Sequence, residues 1–143
     1  MRSSYLEPNS GVADVRKKVK VVNAALTLTA ADSGSVFAIQ QDSAYSITLP
    51  LAKVAGPGWH ATFILSEVAA NAVKVINNTD EDTIVGVTVG ADASAGSSTN
   101  STAVDEITFI SGAQLGDKVE LLCDGSYFYA EAMTHDVAHI TIA

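Results

Sequence analysis

At 143 residues the chain has the length of one domain, enough to bury a core without staples. Its single cysteine, Cys123, rules out an intrachain disulfide, and its longest apolar runs fall far short of the roughly 18 residues a bilayer crossing needs. No apolar leader opens it, so neither a signal peptide nor a membrane anchor is expected. The formal charge of −8 is split: Arg2, Arg16, Lys17, Lys18 and Lys20 against Glu7 and Asp14 leave residues 1–20 at +3, and residues 21–143 carry −11. An acidic body is repelled by phosphates, which argues against nucleic-acid binding.

Residues 1–15 have no apolar period, and Pro8-Asn9-Ser10-Gly11 is a cluster of coil formers, so an extended arm over 1–18 is expected. From Val19 the chain turns strand-like, with β-branched residues at Val19, Val21, Thr27 and Thr29. Thr29 and Asp32 have the spacing of a capping box, which predicts one helical turn ended by Gly34. Strands follow at Val36–Ile39 and Tyr45–Leu49, the second closed by Pro50. After the turn Ala55-Gly56-Pro57-Gly58, alternation puts Trp59, Ala61, Phe63 and Leu65 on one face of a strand.

Further strands are predicted at Ala72–Asn77, Thr83–Val89 and Glu106–Ile110, with a flexible surface loop or hairpin tip over about 90–103. Asp124-Gly125 between two alternating runs, Lys118–Cys123 and Tyr127–Ala132, predicts a hairpin. Ala138–Ile142 closes the chain as another strand. Nine or ten short strands at intervals near 8–12 residues fit an all-β fold over 19–143, an antiparallel β-sandwich or barrel of jelly-roll type.

No constellation for catalysis stands out. His135 and His139 have a metal-ligand spacing only on a helix, and here they enter a strand, so hydrogen-bonded surface histidines are expected. Asp80-Glu81-Asp82 supplies too few oxygens for a calcium site and reads as a solvated acidic turn. No enzyme activity, metal, cofactor or small-molecule substrate is therefore expected. Arg16, Lys17, Lys18 and Lys20 form either a solvated strand edge or a docking element for an acidic surface. Phe37, Trp59, Phe63, Phe109 and Phe128 are assigned to the core, and Tyr127 and Tyr129 to the opposite face, where they could line a subunit contact.

Several segments in order, Leu28-Thr29-Ala30-Ala31-Asp32-Ser33-Gly34, Ile47-Thr48-Leu49-Pro50, Gly58–Leu65 with Val73–Ile76, Asp82-Thr83-Ile84-Val85-Gly86 and the hairpin on Cys123-Asp124-Gly125, give the chain a familiar outline. The set resembles the capsid decoration (cement) proteins of tailed bacteriophages and the related β-domains of head and tail fibres. That resemblance implies a homotrimer on the exterior of a virion, bound to the major capsid protein and stabilising the shell, with Arg16, Lys17, Lys18 and Lys20 on the docking side. A receptor- or glycan-binding fibre domain is the alternative it leaves open.

Overall fold

The structure, a computed structural model, describes residues 16–68, 70–78, 83–92 and 98–143. Twelve strands run through these residues: β1 (Lys18–Val22), β2 (Leu26–Thr27), β3 (Ser35–Gln40), β4 (Tyr45–Thr48), β5 (Pro57–Glu67), β6 (Val73–Ile76), β7 (Ile84–Gly90), β8 (Ser98–Val104), β9 (Glu106–Phe109), β10 (Lys118–Asp124), β11 (Phe128–Thr134) and β12 (Ile140–Ile142). They form a seven-stranded sheet in the order β1-β3-β5-β10-β11-β7-β8 and a five-stranded sheet in the order β12-β9-β6-β4-β2. The two pack as a sandwich, so the all-β fold is as expected.

Strand direction is where the expectation of antiparallel sheets is corrected. The chain alternates between the sheets from β1 to β6, so each strand that returns to a sheet has crossed through the other and comes back in the same direction. β1, β3 and β5 therefore lie parallel in one sheet, and β2, β4 and β6 parallel in the other. β11 and β7 are also parallel, whereas the β10–β11 hairpin, β9, β12 and β8 join antiparallel. Alternation along a short strand reports which residues face the core and carries no information on the direction of its neighbour.

The core lies between the sheets. Trp59, Ala61, Phe63 and Leu65 all point inward from β5, as their spacing requires, and Phe37 stacks on Phe63 with ring centroids 5.1 Å apart. Phe128 meets Trp59 edge-on at 5.7 Å, and the indole N–H donates to the Thr29 carbonyl. The smaller sheet contributes Ile47, Val73, Val75, Ile107, Phe109 and Ile140, all fully buried. Tyr45 of β4 bridges the sheets at one end, its hydroxyl lying 2.7 Å from the Val22 carbonyl and 2.9 Å from that of Gln40; burial pushes its pKa up to about 12. Cys123 is buried in β10, as expected of a small apolar residue, and burial raises its thiol pKa.

Local signals map closely onto the connections. The predicted turn at Thr29 is a 3-10 turn, Ala30–Asp32, in which the Asp32 carboxylate accepts from the Thr29 N–H at 2.8 Å. In the β10–β11 hairpin the two residues at the tip are Gly125 and Ser126, one position beyond the Asp-Gly pair: the Asp124 N–H donates to the Tyr127 carbonyl. Gly125 supplies the positive φ of 95° there, and the Asp124 carboxylate takes the N–H groups of Ser126 and Tyr127. Three elements are additional: a single helical turn, α1 (Ala52–Ala55); β8, whose Ser98–Val104 falls largely inside the loop expected over 90–103; and a 3-10 turn, Val137–His139, which takes the start of the strand expected over Ala138–Ile142 and leaves Ile140–Ile142 to β12. The expected arm lies outside the described residues through position 15, as does the acidic turn Asp80–Asp82, and Lys18 already belongs to β1.

Candidate binding surface

The two outward faces of the sandwich differ in character. On the smaller sheet the register places Ser46, Lys74, Thr108 and Thr141 in one row and Thr48, Ile76 and Glu106 in the next. Six of these seven are polar, and Lys74 pairs with Glu106 at 3.0 Å while the Thr108 hydroxyl donates to the same carboxylate. The Lys74 ammonium leads the interactions that hold the Glu106 pKa below the usual carboxylate value. This is an ordinary solvated sheet face.

The larger sheet is the reverse. Its outward rows run Val19–Val36–Thr62–Glu120–Glu131–Val87 and Val21–Ala38–Ile64–Lys118–Met133–Val89 from β1 to β7. A third row sets His60, Leu122, Tyr129 and Val85 side by side. Val19 and Val21 on β1, and Leu122, Tyr129 and Met133 on β10 and β11, are each between 44 and 64% exposed, which makes two apolar patches on this face with Thr62, Lys118, Glu120 and Glu131 set among them. A shallow groove of about 420 Å³ crosses it, lined by Lys17, His60, Thr62, Glu120, Leu122, Tyr129 and Glu131. Glu120 and Glu131 are directly opposed across β10 and β11, like charges at a position where they repel. At the rim the Tyr129 hydroxyl donates to Asp124 at 2.8 Å, and the rings of Tyr127 and Tyr129 sit 6.5 Å apart.

The basic run borders this face. β1 is the edge strand of the larger sheet, so Lys18 and Lys20 are edge residues, and Lys17 overhangs the groove. Lys20 turns inward: its ammonium pairs with Asp32 at 2.6 Å and lies 5.7 Å from the centre of the Phe37 ring, tying the 3-10 turn to the sheet. Arg16, Lys17 and Lys18 are exposed. The four cations therefore share a segment without sharing a role.

One polar cluster was invisible in the sequence. Asp117, fully buried at the start of β10, accepts from the Gln114 N–H at 2.7 Å, the His135 N–H at 2.8 Å, and Nδ1 of both His135 and His139 at 2.7 Å. Burial alone raises this carboxyl's pKa, but the donors from Gln114, His135 and His139 outweigh it and hold the group below the usual value. The two histidines are thus joined through a third residue, and four donors occupy its carboxylate. What the cluster does chemically is fasten the 110–117 loop, the end of β11 and the approach to β12 to one another.

A scan against protein-family models gave no match, and neither the curated proteins nor the solved structures returned one.

Proposed function

We propose that the chain is a virion structural protein that binds the outer surface of a phage capsid as a homotrimer and stabilises the shell. The observation that carries this reading is the contrast between the two outward faces, one almost wholly polar and one with valine, leucine, tyrosine and methionine side chains left exposed. A monomer in water gains nothing from the second, whereas a protein that works by being covered with other protein subunits needs it. The resemblance in motif order supplies the phage capsid as the setting. Attachment to a lattice that repeats one surface many times also lets a trimer hold on through individually weak contacts.

The docking side in this reading is the basic start of β1 together with the residues before it, directed at an acidic patch of the major capsid protein. Every strand among the described residues lies within 16–143, so a chain cut to 16–143 keeps all of them. The truncated chain is expected to keep its oligomeric mass and lose its binding to purified capsids in a sedimentation assay. Unchanged occupancy on the capsids would refute the arm as the docking element.

A second reading, a receptor- or glycan-binding fibre domain, draws on the groove, where Tyr129 stands beside His60, Glu120 and Glu131. Binding on a glycan array that a Tyr129→Ala substitution abolishes would favour it.

A further inference from the structure

We infer that the outward face of the seven-stranded sheet is the surface on which copies of this chain pack against one another. The inference rests on the proposed reading only in taking the protein to be an oligomer; it assigns the contact to a face.

Three observations select a second copy as the occupant. The first is size. Two rows of outward positions on six strands and a third on four, spaced about 6.6 Å along the strands and about 4.8 Å across them, cover roughly 500 Å². Two such faces closing on each other remove roughly 1,000 Å² from water, the size at which a specific contact begins.

The second is charge. Within the rows and groove, Lys17 and Lys118 offset Glu120 and Glu131, so this face is formally neutral in a chain that carries −8. Copies of so acidic a protein repel each other overall, and a neutral face lets them approach; the smaller sheet's face is neutral too, with Lys74 paired to Glu106, so charge permits the contact and the exposed apolar side chains choose the face.

The third is what the charges on the face lack. Glu131 stands opposite Glu120 and makes no ion pair among the described residues, while Lys118 is drawn to Glu120 at 3.3 Å and Lys17 makes none. The lysines of one copy can reach the Glu131 of another, so the same face carries both halves of the complement. The solvated face of the smaller sheet has its charges already paired internally.

The test is mass by light scattering, followed by substitution. The native chain is expected at no less than twice its 14.8 kDa. Leu122→Lys together with Met133→Lys is expected to give 14.8 kDa with an unchanged circular dichroism spectrum, and Thr141→Lys on the smaller sheet to leave the assembly intact. Should the double variant fail to fold, a spin label on Glu131→Cys reports instead: its spectrum broadens on assembly if copies meet here, and a label on the exposed Thr141→Cys does not. A multimer that survives the double variant, or a Glu131 label that never broadens in the multimer, overturns the assignment without touching capsid attachment. A native chain that stays monomeric yet decorates capsids through this face overturns it too, and gives the face to the capsid. A multimer dissolved by the double variant that never binds capsids sustains the inference and sinks the proposed function.

Discussion

Asp117 is the residue on which the most separate parts of the chain depend. Replacing it with Asn keeps the shape and one acceptor but turns an amide N–H₂ toward donors that have nowhere else to point. Leaving buried donors unsatisfied costs about 1–3 kcal/mol each, so Asp117→Asn is expected to lower stability by about 3 kcal/mol at neutral pH. The folded carboxyl titrates below its unfolded value of about 3.9, so its contribution is complete above that value and is lost as pH falls through the lower, folded one. Urea midpoints of both proteins measured from pH 7 down to pH 3 should therefore diverge at neutrality and converge in acid. A gap that persists unchanged at pH 3 would refute the account. None of this was readable in the sequence, because Asp117 and its histidine partners stand 18 and 22 positions apart and nothing local links them.

At the scale of elements, β7 shows how closely the layers approach. A Cβ on Gly86 would lie 2.8 Å from the Ala130 side chain and carbonyl and from the Ile142 Cδ1. Alanine normally stabilises a strand relative to glycine, but here overpacking decides the sign, and Gly86→Ala is expected to cost about 1–3 kcal/mol. Adding Ile142→Val should recover part of the loss in melting temperature, since it removes one of the obstructing atoms and leaves the carbonyl. Strands with alternating apolar residues, such as β5, β10 and β11, were legible because their burial has the period of their sequence. β8 was not, since small polar residues read as loop and its pairing with β7 comes from the ladder rather than from its own pattern. The apolar face was half legible. Tyr129 stood out beside Phe128, but Leu122 sits in a run that is apolar on both sides, and Val87 and Val89 alternate with Gly86, Thr88 and Gly90, a pattern that points the valines inward although Thr88 is the buried residue.

For the whole molecule, the decisive quantity is charge against exposed apolar area. If copies assemble through a neutral face while their bodies repel, added salt must strengthen assembly, because it shortens the screening length from about 10 Å at 0.1 M to about 3 Å at 1 M. The concentration at half-assembly, followed by sedimentation between these two salt levels, is expected to fall. A rise would mean that ion pairs across the contact dominate, and the lysine–glutamate complement would then be the main attraction rather than a supplement.

The parallel pairing of β1 with β3 also sets how the molecule bears a load. A pull directed along β1 from ahead of Lys18 loads five residue pairs of that ladder, from Lys18–Ser35 to Val22–Ile39, together, whereas a pull across the sheet edge parts them one by one. Lys20 adds its clamp on Asp32 at the middle of the same strand. A tether that runs in line with β1 is sheared and not peeled, the stronger of the two ways to hold a small domain by its edge strand.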